Sequence, residues 1–374
     1  MQANQPQVFL GGLTPQQFMR QYWGKKPLLV RQAFPGFTGP ISRQEMFAMA
    51  EREDVESKVV ECTPKGVWRV RQGPFQRRSL PPVSRPKWTL LLQGVDTHQA
   101  VAHELMQQFR FIPDARLDDV LMAWASADGG VGPHYDAYDV FLIQGQGKGR
   151  WRIGPVHDFQ DLRDDVSLRI LKHFDPENEY ILEPGDLLYL PPLWGHDGTG
   201  AGGECVTYSV GFRTPQRTEL AREVTFRMLE DQPDDEVYYT DPSQKATDTP
   251  AAIPAALQQY AEKAVRKALA SPQVLHRALG EYMSEPKPGV WFEGAILETP
   301  IGAVHLAAAT RMLYDERHCY INGESYKMSG RDATLMRALA NQRCLTAAQV
   351  RRASVQAREL LQAWRDDGWL YDSE

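Results

Sequence analysis

Between Lys58 and Phe212 the chain is cut into short apolar runs, each closed by glycine or proline. This punctuation restricts the fold more than any other feature of the sequence. The runs include Val67-Trp68-Arg69-Val70, Trp88-Thr89-Leu90-Leu91-Leu92, Val120 to Ala125, Asp139 to Gln144, Arg150 to Ile153, Asp186 to Leu190 and Cys205 to Phe212. Breaks fall at Pro64, Gly66, Gly73-Pro74, Pro81-Pro82 and Pro86. Many short strands with turn residues between them predict an all-β sandwich or barrel, not a parallel α/β sheet. Helices are expected at only two places in this half. One follows Thr14-Pro15, an N-cap with proline at the first helical position, and carries Phe18, Tyr22 and Trp23 as far as Gly24. The other covers residues 97–110.

After Pro215 the character changes. Residues 219–230 show helical spacing in Leu220, Val224 and Met228, and residues 254–283 are helical again. Pro286-Lys287-Pro288-Gly289 breaks the chain. Strands are expected at 301–308 and 310–314, a hairpin at Asn322-Gly323, and helices at 331–342, 346–352 and 354–367. The division this suggests is a β domain at 1–215, a helical segment at 216–255 and an α+β domain at 256–374.

The 374 residues carry 42 Lys+Arg against 48 Asp+Glu, a net charge of −6, so the chain as a whole does not match bare nucleic acid. The acid is local: Glu219 to Asp248 holds nine acidic and three basic residues, including the run Asp231 to Asp235. Residues 256–374 hold fifteen basic and fourteen acidic, a net of +1 despite Arg351, Arg352 and Arg358, which argues against DNA binding. Four scattered cysteines without a CxxC exclude a disulfide framework or zinc knot. The first residues lack a signal-peptide pattern and no apolar window is long enough to span a bilayer, which predicts a cytoplasmic, soluble protein.

Two His-x-Asp patterns occur, His134-Tyr135-Asp136 and His173-Phe174-Asp175. On a strand, positions i and i+2 share a face, so either pair can grip one ion. Context separates them. His134 follows the glycine-rich approach Gly129-Gly130-Val131-Gly132-Pro133 and precedes the apolar run Val140 to Ile143. His173 precedes Pro176 and charged residues, which reads as a surface loop. Further on, Glu183-Pro184-Gly185-Asp186 turns into the apolar strand Leu187 to Leu190, which stops at Pro191-Pro192 and delivers His196 on the next turn. His134, Asp136 and His196 form a two-histidine, one-carboxylate set that leaves three metal positions open. That suits non-haem Fe(II) binding a bidentate co-substrate and O₂. The tryptophans at 68, 88, 124 and 151 are expected in the core, and His157 in solvent.

At these residues the chain resembles the JmjC-type, cupin-fold 2-oxoglutarate oxygenases, specifically the bacterial ribosomal-protein arginine hydroxylases. The resemblance rests on Tyr22-Trp23-Gly24-Lys25-Lys26-Pro27-Leu28, Gly132-Pro133-His134-Tyr135-Asp136 with Tyr138-Asp139-Val140-Phe141, Trp151-Arg152-Ile153-Gly154, the segment from Pro184 to His196, and Tyr208-Ser209-Val210-Gly211-Phe212-Arg213. It implies a double-stranded β-helix, a winged-helix-like C-terminal domain, and homodimers joined through helices after the barrel. It also implies hydroxylation of an arginine in the sixteenth large-subunit ribosomal protein, with Fe(II), O₂ and 2-oxoglutarate as co-substrate. A dimer would place Leu220, Val224 and Met228 partly in its interface. The alternatives are the same chemistry on another residue such as histidine, or a catalytically silent cupin scaffold that binds ribosomal protein.

One position departs from the pattern. The family usually has lysine or arginine two residues before the strand tryptophan, to pair with the distal carboxylate of 2-oxoglutarate; here that residue is Gly149. The run Gly145-Gln146-Gly147-Lys148-Gly149 has the glycines for a bulge that would turn Arg150, or next Lys148, inward. Thr207 and Ser209 share a strand face and are expected to add hydroxyl hydrogen bonds to the co-substrate.

Overall fold

Strict alternation along single strands decides how the first half is built. The structure, a computed structural model, describes residues 3–230, 236–297 and 299–373; the acidic run Asp231 to Asp235 lies outside these. The chain divides into two compact units, Met1–Thr214 and Pro215–Glu374. The stretch 216–255, expected to stand by itself, belongs to the second unit.

The first unit contains helices α1 (Pro15–Gln21), α2 (Arg43–Met49) and α3 (Ala100–Gln107). Its strands are β1 (Leu28–Val30), β2 (Ser57–Cys62), β3 (Trp68–Gln72), β4 (Trp88–Leu92), β5 (Leu117–Ala125), β6 (His134–Tyr135), β7 (Val140–Gln146), β8 (Gly149–Pro155), β9 (Asn178–Leu182), β10 (Leu187–Leu190), β11 (Trp194–Gly200) and β12 (Cys205–Phe212). They form an eight-stranded sheet ordered β1-β10-β7-β12-β5-β4-β2-β3 and a four-stranded sheet ordered β6-β11-β8-β9, antiparallel throughout. This is the double-stranded β-helix of a cupin.

The large sheet uses both faces. Val120, Met122 and Trp124 of β5, Val206, Tyr208 and Val210 of β12, and Phe141 and Ile143 of β7 belong to the main core, which takes in Phe18, Met46 and Leu105 of the three helices. The alternate residues of the same strands, among them Leu121, Ala123, Thr207, Ser209, Val140 and Leu142, line a cavity on the other side. A period of two thus separates structural residues from site residues along one strand. Thr14 caps α1, as its sequence predicts, and Gln17 completes a reciprocal box with it.

The second unit comprises α4 (Arg217–Glu230), α5 (Ala255–Ala268), α6 (Pro272–Ser284), β13 (Val304–Leu306), β14 (Met312–Tyr314), β15 (His318–Ile321), β16 (Glu324–Lys327), α7 (Gly330–Gln342), β17 (Cys344–Leu345), α8 (Ala347–Arg351), α9 (Val355–Asp366) and β18 (Leu370–Asp372). Two three-stranded sheets, β17-β13-β18 and β14-β15-β16, share a core with α7 to α9 around Leu361, Trp364 and Ile321. The Asn322-Gly323 hairpin turn has positive φ at both residues, as a type I′ turn requires. The helical face assigned to a dimer is corrected: Val224 and Met228 are buried against Ala278 of α6, with Leu220 packed beside them. Among the described residues no helix is long and apolar enough to cross a membrane.

Candidate metal centre and co-substrate cavity

β6 and β11 pair antiparallel with His134 directly opposite His196. That register brings the two imidazoles to a centroid separation of 4.2 Å, and Asp136 follows two residues beyond His134. Asp136 Oδ2 lies 3.5 Å from His196 Nε2, and one ligand atom from each of the three residues falls within 4.8 Å of the others. His196, expected on a turn, sits in a strand instead; its glycine-rich surroundings disguised that strand.

Both imidazoles are oriented the same way. His134 Nδ1 lies 2.8 Å from the Gly132 carbonyl and His196 Nδ1 lies 3.0 Å from the Trp194 carbonyl. A carbonyl only accepts, so each Nδ1 carries the proton and each Nε2 presents a lone pair inward. Gly132 reaches this geometry with φ of +81°, which explains the glycine in the approach. Burial first, and then the neighbouring His134, pushes the His196 pKa down to about 4, so that ring is neutral at neutral pH. Two Nε2 lone pairs and a carboxylate oxygen thus converge with no donor between them. Acceptors gathered in this way repel one another unless a cation binds them, and a two-nitrogen, one-oxygen set with open positions suits a divalent transition metal. The second His-x-Asp pair does nothing comparable: the His173 side chain is 85 % exposed and pairs with Asp161, not Asp175.

The centre opens into a cavity of about 270 Å³ inside the β-helix. Thr207 and Ser209 line it, as their shared face predicts. Lys148 and Arg150 do not, which corrects the expectation of an inward bulge. β8 pairs without a register shift with β11 on one side and β9 on the other, so Gly149 and Trp151 point in while Arg150 and Arg152 point out. On the outer face Lys148 meets Glu183 at 2.6 Å, Arg150 meets Glu179 at 3.6 Å, and Arg152 pairs with Asp197. Among the described lining residues there is no lysine or arginine.

Several lining residues escaped the sequence reading. Trp151, expected in the core, faces the cavity beside His196, whereas Trp88 and Trp124 are buried as expected. Gln144 is fully buried behind Gly149 of that lining, and a polar residue at the end of an apolar run was the available signal. Asp118 and Asp119, paired acids at the start of β5, also line the cavity. The Tyr138 side chain lines the cavity near Asp136; loss of water around its hydroxyl, and then that carboxylate, raise its pKa far above the ordinary value, keeping it neutral. Burial likewise raises the Cys205 thiol to about 11.

Residues 104–220 match the JmjC domain family, and residues 265–371 match the ROXA-like winged helix. The chain is 33 % identical over 270 residues to the ribosomal protein uL16 3-hydroxylase of Escherichia coli, covering 72 % of this chain and 71 % of that one. A probable ribosomal oxygenase of Haemophilus influenzae is 34 % identical over 227 residues, covering 59 % and 55 %. Among solved structures, the Escherichia coli ribosomal oxygenase YcfD in complex with cobalt and 2-oxoglutarate superposes with a TM-score of 0.80 at 28 % identity, covering 96 % of this chain and 98 % of that one.

Proposed function

This chain belongs to the JmjC-domain ribosomal oxygenases, and on that footing we propose that it hydroxylates an arginine side chain of a large-subunit ribosomal protein, using Fe(II), O₂ and 2-oxoglutarate. The observation that carries the proposal is the convergence of His134, Asp136 and His196 beside a cavity whose described lining includes Asp118 and Asp119 and no lysine or arginine. The acceptor-only donor set fits a divalent iron, which His134 and His196 hold through Nε2 and Asp136 through a carboxylate oxygen. Bound there, iron supplies the redox chemistry that divides O₂ between a decarboxylating 2-oxo acid and a target C–H bond. The chain's own part is to orient both organic partners and exclude water. Thr207 and Ser209 offer hydroxyls to the co-substrate, and the neutral Tyr138 hydroxyl steadies Asp136.

Arginine is favoured as target by charge. A guanidinium entering the cavity meets Asp118 and Asp119 and no lining cation among the described residues. Planar, bidentate pairing with carboxylates is what a guanidinium does best. The nearly neutral composition of residues 256–374 suits a protein-facing winged-helix domain better than a DNA reader. A homodimer is the proposed assembly. α4 exposes Phe226 and Leu229 at 59 % and 50 %, and α5, with no buried residue, exposes Leu257 and Val265. A cytoplasmic location follows from a ribosomal-protein target. The deciding experiment is mass spectrometry of ribosomal proteins from cells with and without this chain. An arginine one oxygen heavier only when the chain is present is expected; an unmodified set, or oxygen on a histidine, refutes the arginine assignment.

A further inference from the structure

The cavity wall at position 149 bears on which co-substrates the site accepts. 2-Oxoglutarate carries two carboxylates. The one beside the oxo group goes to the metal, and the other needs a partner deeper in the cavity. Gln144 backs the wall there, against Gly149, and does not itself line the cavity. Its Nε2 donates to the carbonyls of Gln146 at 2.8 Å and Val206 at 3.2 Å, and its Oε1 accepts from the Thr207 hydroxyl at 3.4 Å. Flipping the amide would set its oxygen against those carbonyls, so the side chain is locked with its oxygen toward position 149. A Cβ placed on Gly149 would lie 2.5 Å from that oxygen and 3.1 Å from Trp151 Nε1. Beside it, among the described lining residues, what remains to meet a ligand is neutral: the indole N–H of Trp151 and the Ser209 hydroxyl, with the Thr207 hydroxyl already turned to Gln144.

The nearest cations in sequence, Lys148 and Arg150, are paired on the outer face, and the acids Asp118 and Asp119 share the cavity. A charge-assisted hydrogen bond to a carboxylate contributes about 1.5–3 kcal/mol, roughly 10- to 150-fold in affinity. Without it, a second carboxylate brings its desolvation and little return.

We propose that Gly149 makes this pocket indifferent to the second carboxylate, so that 2-oxo acids with uncharged tails, such as 2-oxobutanoate and 2-oxopentanoate, bind the metal centre about as well as 2-oxoglutarate. The inference rests on the reading that the site takes a divalent metal and a 2-oxo acid. The overall chemistry is unchanged. With O₂ and the target C–H, either acid yields the acid one carbon shorter, CO₂ and the hydroxylated target, one oxygen atom going to each organic product.

The test is calorimetric titration of the full Co(II)-loaded chain, without O₂, with 2-oxoglutarate and separately with 2-oxopentanoate. Dissociation constants within about threefold are expected. A preference for 2-oxoglutarate of tenfold or more overturns the inference while leaving the proposed function intact. Failure of both acids to bind the metal-loaded protein removes the proposed function and the inference together. The Gly149→Lys variant returns a cation on the inward face, and its Cβ requires the hydrogen-bonded Gln144 amide and the Trp151 ring to shift. It should bind 2-oxoglutarate at least tenfold better than 2-oxopentanoate. A variant that melts like the wild type yet shows no such preference also counts against the inference, and the wild-type titration decides should it misfold.

Discussion

Asp186 closes the Pro184-Gly185-Asp186 turn and ties together the start of β10 and the end of β1, so its replacement by asparagine tests the scaffold beneath the site. Its side chain is 3 % exposed and accepts three hydrogen bonds: from Arg31 Nη1 at 2.6 Å, from the Gln32 N–H at 2.9 Å and from the Glu183 N–H at 3.0 Å. Burial alone would raise this carboxyl's pKa, but the two N–H groups and the Arg31 guanidinium outweigh it and hold the pKa below its ordinary value. In Asp186→Asn the remaining oxygen still serves Gln32, while an NH₂ replaces the oxygen that accepted from both Arg31 and Glu183. Arg31 is half exposed, so losing its pair is worth about 1 kcal/mol after screening. The unpaired Glu183 N–H adds roughly 1–2 kcal/mol. The sum, about 2–3 kcal/mol, lowers the melting temperature of a unit this size by roughly 5–10 °C. The folded pKa lies below the unfolded one, so the carboxylate's contribution is complete above the ordinary value and is lost as pH falls through the depressed one. Urea unfolding of both proteins at neutral pH and at about pH 3 measures this. A gap below about 0.5 kcal/mol at neutral pH, or a gap that does not narrow in acid, would refute the reasoning.

Three further outcomes follow from the geometry. His134→Ala and Asp136→Ala should abolish Co(II) binding in calorimetry and turnover in a succinate-release assay, because either leaves only two protein ligands; His173→Ala should behave as wild type, and the reverse pattern would mean the wrong His-x-Asp pair was chosen. Gly198→Ala would set a Cβ 2.6–2.9 Å from three Trp151 ring carbons, so thermal melts should show about 1–3 kcal/mol of destabilisation, and an unchanged melt would mean that Trp151 moves freely. Phe226→Asp combined with Leu229→Asp should convert a dimeric mass to a monomeric one in light scattering, whereas a monomeric wild type at micromolar concentration would reject the dimer.

The parts of the fold that were legible in the sequence are those where composition and period agree. β4, β5, β7, β10 and β12 read as strands because apolar, β-branched and aromatic residues fill them, and α1 read as a helix because Thr14-Pro15 is an explicit start. That His134, Asp136 and His196 come together was legible because three chemically distinctive residues stood in constrained settings. β9 and β11 were not. β9 mixes exposed polar residues with Tyr180 and Ile181, and β11 spells Trp-Gly-His-Asp-Gly-Thr-Gly, with three glycines where strand propensity is lowest.

Missing those two strands is what misdirected the reading of Lys148 and Arg150. A glycine-rich run beside a free edge can bulge, but β8 has no free edge. Its Gly149 is opposite Leu182 of β9 and Gly200 of β11, and both ladders continue from there in unbroken register. An extra residue in β8 would have to disrupt both ladders at once. The glycines therefore serve close approach rather than a bulge: Gly149 leaves room for the Gln144 oxygen, and Gly198 for the Trp151 ring. The orientation of a side chain on a central strand is thus decided by its neighbours' register, and here that register turns a glycine, not a cation, into the cavity.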